Sequence, residues 1–144
     1  MIGRPTAIAL IAVGVVLTAG ALVLPWYSTT YAGGVEVVVR AWGTEVVNKP
    51  GDWPAGDLSP WYGIPVAATV ALLVAGVKVR WAALAGALGQ AGAVAVVVAL
   101  VVSERGHAGD QQGDFALGYG LLFLAVGTVV ALVGAVAAQR EAVA

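Results

Sequence analysis

The chain has 144 residues, of which 60% are hydrophobic and only 10% are charged. Because soluble domains carry about 25% charged residues, most of this chain is not expected to face water. The net charge of −1 gives no basic excess for binding nucleic acid, and the absence of cysteine excludes disulfides, thiolate metal sites and cysteine nucleophiles.

Four apolar segments predict membrane-spanning helices. A helix needs about 20 apolar residues to cross a hydrocarbon core of about 30 Å. The predicted spans cover residues 6–25, 62–79, 81–102 and 115–138, and the outer loops cover 26–61 and 103–114. The first span follows Arg4, as a signal peptide would, but its apolar run exceeds the usual length of about 7–15 residues, so we interpret it as a retained span. The predicted fold is an all-α membrane protein, a four-helix transmembrane bundle in one domain, 1–144.

The first outer loop begins with a pattern typical of β-structure. Residues 27–31 and 35–42 are rich in β-branched and aromatic side chains, and Gly33 and Gly34 between them tolerate the positive φ of a tight turn. We therefore predict a small extracytoplasmic β-hairpin. Because a lone hairpin is marginal in water, it should be supported by a third strand near 44–47, by the membrane surface or by a partner.

The rest of this loop carries candidate partner-binding residues. Residues 49–60 contain three prolines and two glycines, which excludes a regular central strand. Trp53 and Leu58 are apolar residues in this segment, and Trp42 lies before it. They either pack onto the hairpin or form exposed anchors for a partner, since tryptophan is enriched at binding hot spots.

The predicted spans contain few polar groups and many small residues. Their most polar side chains are those of Gln90, Thr18, Thr69 and Thr128, and no charged residue lies in the predicted cores. We expect Gln90 to hydrogen-bond to a neighbouring helix, with contact to a substrate as the alternative. Transporters and channels usually place ionisable residues in the membrane, so no ion path is predicted.

Small residues form faces on the last two spans. Ala85, Gly89 and Ala93 are spaced four apart on the third span. On the fourth, three glycines repeat every seven residues: Gly120, Gly127 and Gly134. Such faces let helix backbones approach closely. We expect most of them to close the bundle and some to form an interface with another subunit.

The distribution of charge predicts the orientation in the membrane. Four basic residues and one acid fall on one side, giving +3: Arg4, Lys78, Arg80, Arg140 and Glu141. The outer loops carry three basic residues and seven acids, giving −4. Because basic residues stay inside, we expect a bacterial inner-membrane protein with both termini cytoplasmic and both long loops extracytoplasmic. Aromatic residues at the predicted span ends fit the headgroup layer: Trp26, Tyr27, Trp61, Tyr62, Trp81 and Tyr119.

The sequence contains no G-x-S-x-G elbow, P-loop or H-E-x-x-H motif. The second outer loop holds His107 near Glu104, Asp110 and Asp114, but a single histidine among glycine-rich neighbours is weak support for zinc, and we expect a solvated loop. We therefore expect no enzymatic activity, no cofactor and no metal.

The order of these parts resembles a group of known membrane proteins. The first span ends in residues Leu24 to Trp26, the β-rich segment contains Trp42 and Gly43, and residues Gly118 to Leu121 open the last span. This plan is similar to small actinobacterial four-span membrane proteins of the tryptophan-operon-associated kind and, more broadly, to claudin-like proteins. The claudin pattern includes paired loop cysteines, which this chain lacks, so barrier formation is not implied.

The resemblance implies a non-catalytic accessory or scaffold subunit of a larger cell-envelope complex. The mammalian-cell-entry (Mce) lipid importers of mycobacteria are one setting that fits this architecture, which would make the partner an integral-membrane lipid importer. The alternative function is a stand-alone lipid- or small-molecule-binding transport protein, in which Gln90 and a glycine-lined groove contact membrane lipids. A third possibility is an envelope sensor that relays to a partner.

Overall fold

The computed structural model of the protein describes residues 3–31, 34–47, 51, 62–110 and 114–143, apart from the side chains of 107–110 and 142–143. Its elements in chain order are α1 (Arg4–Ala21), β1 (Tyr27–Thr30), β2 (Glu36–Arg40), β3 (Gly43–Val47), α2 (Gly63–Ala75), α3 (Arg80–Asp110), β4 (Asp114–Leu117) and α4 (Tyr119–Val143). Over these ranges the fold is a helical bundle with a small antiparallel sheet.

Three of the helices, α1, α3 and α4, are long and apolar enough to cross a membrane. Helix α2 has only 13 residues. With a rise of 1.5 Å per residue it extends about 20 Å, less than the hydrocarbon core of about 30 Å. The described fold is therefore compatible with a helical membrane protein in which α2 is shorter than the bilayer core.

The helices approach closely where small residues face each other. A Cβ added to Gly14 of α1 would lie 2.7 Å from the Ala131 Cβ of α4. On the turn between α2 and α3, a Cβ at Gly76 would collide with Ala83 in the same way. One hydrophobic core of the bundle lies around these contacts, and its buried members are Ile11, Leu73, Ala83, Ala87, Ala131 and Ala135. Helix association in lipid depends on such van der Waals contact, which small side chains permit.

The sheet has four strands in the order β3-β2-β1-β4, and every neighbouring pair is antiparallel. The predicted hairpin is present: β1 pairs with β2, from Tyr27 opposite Val39 to Thr30 opposite Glu36. Gly34 has a φ of 82°, the left-handed conformation that glycine tolerates in a turn. Of the three supports considered for the hairpin, the third strand is present as β3.

The segment predicted as the second outer loop, 103–114, is largely helical. Helix α3 continues through Asp110, and residues Asp114–Leu117 form β4 against β1. The last helix therefore begins at Tyr119, not at 115, and the first helix ends at Ala21, not at 25. The apolar residues of β4 resemble the start of a span in sequence, but the free edge of β1 offers them backbone hydrogen bonds.

A second core joins the sheet to the bundle. Its buried members come from all four helices and from the two residues that flank the first hairpin: Ala21, Trp26, Ala41, Val66, Val97, Val101 and Leu124. Tyr27 and Phe115 pack against this cluster and stack on each other with ring centroids 5.4 Å apart. The sheet is thus fixed to one end of the bundle by aromatic side chains.

Candidate functional site

Gln90 lies in the first half of α3 and is completely buried. Its side-chain Nε2 donates a hydrogen bond to the Thr18 hydroxyl of α1, which in turn donates to the Gly14 carbonyl at 2.8 Å. The interhelical contact predicted for Gln90 is therefore present, and its partner is Thr18. The other amide atom, Gln90 Oε1, is buried without a hydrogen-bond partner in the described part of the chain.

The other polar side chains of the bundle bond locally. Thr69 donates to the Val66 carbonyl at 2.6 Å, and Thr128 donates to the Leu124 carbonyl at 2.7 Å. Threonine commonly satisfies its hydroxyl within a helix in this way. Gln90 and Thr18 thus form the long-range polar contact of the described bundle interior.

The three candidate glycines of α4 face the interior of the protein. Added Cβ atoms would lie 2.7 Å from the Leu24 carbonyl oxygen at Gly120, 3.0 Å from the Thr18 hydroxyl at Gly127, and 3.0 Å from the Ala7 carbonyl oxygen at Gly134. All three glycines are buried. Because the backbone of α1 and the segment after it fill the space over these glycines, this face of α4 is used within the chain and is not open to a second subunit.

The small-residue face predicted for α3 is divided: Ala93 is half-buried against the core that joins the sheet to the bundle, whereas Ala85 and Gly89 are exposed. Ala85, Gly89 and Gly92 are exposed, and a Cβ added at Gly92 would meet no atom within 4 Å. A Cβ added at Gly89 would lie 3.3 Å from Thr69 of α2, so α2 runs beside this face. We call Ala85, Gly89 and Gly92 the α3 small face. With 100° per residue, it lies roughly opposite Gln90 on the helix.

The structure places only one of the candidate residues of the predicted first outer loop. Trp42 is 41% exposed, and its ring lies over Gly63 at the start of α2, where a Cβ would be 2.6 Å from the ring. Trp42 therefore contributes both to packing and to the outer surface. Trp53 and Leu58 lie outside the described residues.

Trp26 has a structural role that the sequence did not reveal. Predicted to sit in the headgroup layer, it is only 1% exposed. Its indole Nε1 donates to the Ala21 carbonyl at 2.8 Å, which satisfies one of the free carbonyls at the end of α1. Its backbone N–H donates to Val39, and its carbonyl accepts from Gly118. Trp26 thus connects α1, the hairpin and the start of α4.

No protein-family model matches the chain, and no similar protein is found among curated proteins. The candidate site comprises a closed contact between α1 and α4, a buried Gln90 amide whose oxygen has no partner in the described residues, and an exposed small face on α3.

Proposed function

We propose that the protein is a non-catalytic accessory or scaffold subunit of a larger cell-envelope membrane complex. The observation that carries this proposal is the contrast between two faces of small residues. The glycines of α4 are buried against α1, whereas the α3 small face is exposed. In this proposal a helix of the partner packs on the α3 small face.

The surface chemistry supports helix docking at this face. Glycine and alanine expose backbone, so a neighbouring helix can approach to short interaxial distance and gain van der Waals contact that lipid chains give less well. Helix α2 runs beside the α3 small face but leaves Ala85, Gly89 and Gly92 exposed. A partner helix would lie alongside α2 and pack on these three residues.

The proposed setting is a lipid-transport machine of the bacterial inner membrane. It is supported by the architectural resemblance to four-span envelope proteins and by the outer position that the acidic, hairpin-containing loop would take. In this topology the chain crosses four times, both termini are cytoplasmic, and the sheet stands outside, where Trp42, Trp53 and Leu58 would contact the partner.

The test is affinity purification from the native membrane in mild detergent, followed by mass spectrometry of the proteins that co-elute. We expect a membrane complex at fixed stoichiometry with the wild type, and its loss in Gly92→Leu. The matched control is Ala125→Leu, which adds the same side chain to an exposed position of α4. Recovery of the wild type as a free monomer, or equal loss in both variants, would contradict docking at the α3 small face.

A second function, stand-alone binding and transport of a lipid or small molecule, is supported by the unpaired Gln90 Oε1. A hydroxyl or amide donor of a bound molecule would satisfy this oxygen, whose burial without a partner costs about 1–3 kcal/mol. Native mass spectrometry of the wild type and of Gln90→Leu is the test. Retention of a ligand by the wild type and its loss from the variant would favour this function, and an identical profile would count against it.

A further inference from the structure

An open cleft of about 1160 Å³ lies at the end of the bundle that carries both chain termini. It is bounded by the start of α1, the end of α4 and the turn between α2 and α3. We call it the terminal cleft. A hydrogen bond of 3.1 Å from Gln139 of α4 to the Arg80 carbonyl joins two of its sides. The terminal cleft lies at the opposite end of the bundle from the sheet, and its lining does not include Gln90.

The inner wall of the terminal cleft is apolar. It is formed by Ile8 and Ile11 of α1 and by Leu132, Val133 and Val136 of α4. Ile11 is only 1% exposed, whereas Val133 and Val136 are 45% and 38% exposed. The wall therefore reaches from the buried core of the bundle to the outer surface, as a site that accepts an acyl chain from the bilayer requires.

The rim of the terminal cleft is basic. Its charged residues are Arg4, Lys78, Arg80, Arg140 and Glu141, which give a net charge of +3. All five are exposed. Among the residues that the structure describes, the salt bridge found joins Arg40 to Glu45 in the sheet. Within those residues, the four basic side chains of the rim therefore form no salt bridge with a carboxylate.

The helix dipoles do not alter this balance. Helices α1 and α3 begin at this end, whereas α2 and α4 end here. Their partial charges therefore offset each other in pairs. The side-chain cations therefore decide the potential of the rim, and Arg and Lys side chains bind phosphate through charge-assisted hydrogen bonds.

We propose that the terminal cleft binds one anionic phospholipid of the adjoining leaflet, with its phosphate between the rim cations and an acyl chain along the wall of Ile8, Leu132 and Val136. Basic pockets between membrane helices are suited to anionic headgroups. The volume exceeds the range of about 300–1000 Å³ that holds drug-sized molecules, which leaves room for a headgroup and the upper part of a chain. A free anion would leave the apolar wall uncovered. The inference rests on the cleft alone and does not depend on the proposed partner complex.

The probe is a pair of lipids with the same acyl chains, phosphatidylglycerol and phosphatidylcholine. The full-length protein is exchanged into detergent with each lipid, and retained lipid is measured by native mass spectrometry. We expect one phosphatidylglycerol to be retained in preference to phosphatidylcholine. Arg140→Gln should weaken retention about fivefold, since each cation near an anionic headgroup contributes a factor of about that size, and Arg140→Lys should retain most of it.

Two matched controls separate the cleft from general lipid adhesion. Arg105→Gln removes the same charge from the other end of α3, and it should leave the preference for phosphatidylglycerol unchanged. Val133→Trp should block the apolar wall and abolish retention, whereas Val129→Trp, one turn away at another exposed position of α4, should not. Fluorescence of Trp81, which lines the cleft, reports the same event when the phosphatidylglycerol carries brominated chains.

Three outcomes would overturn the proposal. The first is equal retention of the two lipids by the wild type. The second is an equal effect of Arg140→Gln and Arg105→Gln, which would indicate a response to net charge only. The third is displacement of the bound lipid by inorganic phosphate, which would assign the rim to a soluble anion. A failed purification of a partner complex bears on none of these measurements.

Discussion

The residues around Trp26 are packed so closely that side-chain size decides whether they fit. A Cβ added to Gly118 would lie 2.1 Å from the Pro25 carbonyl oxygen, a backbone atom that cannot move aside alone. The Gly118 N–H also donates to the Trp26 carbonyl at 2.8 Å. This glycine therefore allows the chain to pass from the sheet into α4 beside the end of α1.

We expect Gly118→Ala to lower the free energy of unfolding by about 1–3 kcal/mol, the usual cost of overpacking a tight contact. Gly92→Ala is the matched control, because nothing lies within 4 Å of the added atom and alanine favours the helix. Thermal unfolding in detergent, followed by circular dichroism, measures both variants. Equal melting temperatures for the two would show that the Gly118 contact is not as tight as the structure indicates.

The Gln90–Thr18 pair leads to an asymmetric prediction. Thr18→Val removes the acceptor and leaves the whole buried amide of Gln90 unpaired, so it should cost about 1–3 kcal/mol. Gln90→Leu also removes the orphaned Oε1, and Thr18 keeps its bond to Gly14, so this variant should change stability by less than about 1 kcal/mol. In the double variant Thr18→Val/Gln90→Leu, the second substitution should restore most of the stability that Thr18→Val alone loses. A larger cost for Gln90→Leu than for Thr18→Val would be inconsistent with this arrangement.

For single residues, the sequence predicted the type of interaction better than it predicted which residues interact. An amide in an apolar span has to find a partner on another helix, and this predicted the interhelical hydrogen bond of Gln90. That the partner is Thr18 depends on the rotation of two helices. The burial of Trp26 was missed because a tryptophan at a span end has the same sequence context whether it faces lipid or the sheet.

Among the elements, β1 is one of the two inner strands of the sheet, and it joins the hairpin strand β2 to the distant strand β4. Its first residue, Tyr27, stacks on Phe115 of β4. Burial raises the pKa of the Tyr27 hydroxyl to about 12, with a further contribution from the negative charge of Glu104 at the end of α3. Both effects disfavour the phenolate in the folded protein.

This pKa predicts a loss of stability in alkali. An unfolded tyrosine ionises near pH 10, whereas Tyr27 in the folded protein stays neutral to about pH 12. The contribution of Tyr27 to stability is therefore fully present below pH 10 and falls as the pH rises from about 10 to about 12. The melting temperature should decline over this range less steeply in Tyr27→Phe than in the wild type. When tyrosinate absorbance is followed against pH, the wild type should show a phase near pH 12 that Tyr27→Phe lacks. Tyr119→Phe, at an exposed position, should keep that last phase.

The elements were predictable where the pattern was local. The hairpin of β1 and β2 follows from β-branched runs separated by glycines, and the helices follow from apolar runs. Strand β4 was not predictable in this way, because its four residues gain a β conformation only from the free edge of β1. The extension of α3 to Asp110 was missed because glycine and charge in 103–110 are typical of loops.

For the whole molecule, the short helix α2 makes the number of membrane crossings a direct question for experiment. The chain has no cysteine, so single cysteines can be added without a background. Three exposed positions suit this purpose: Gly51, Val79 and Gly106. Gly51 follows β3, Val79 lies in the turn between α2 and α3, and Gly106 lies near the end of α3.

With four crossings, a membrane-impermeant maleimide should label Gly51→Cys and Gly106→Cys in intact cells, and Val79→Cys only after the membrane is permeabilised. Val79 lies between Lys78 and Arg80, which the charge distribution predicts to be cytoplasmic. If α2 does not cross, Val79→Cys and Gly51→Cys will label together and Gly106→Cys will differ from both. Labelling of all three after permeabilisation confirms that each cysteine is reactive.

The pairing of β1 with β4 also sets an order of events during synthesis. Tyr27 meets Leu117, its partner in the sheet, only after two further helices and the turn between them have left the ribosome. Until then β1 has one unpaired edge, and the Trp26 carbonyl lacks the hydrogen bond that the Gly118 N–H donates to it. Because such long-range pairing is slow to form, the sheet should close as the last step of folding. An arrested chain that stops before β4 would therefore present a free strand edge at the membrane surface, a ready target for quality-control proteases.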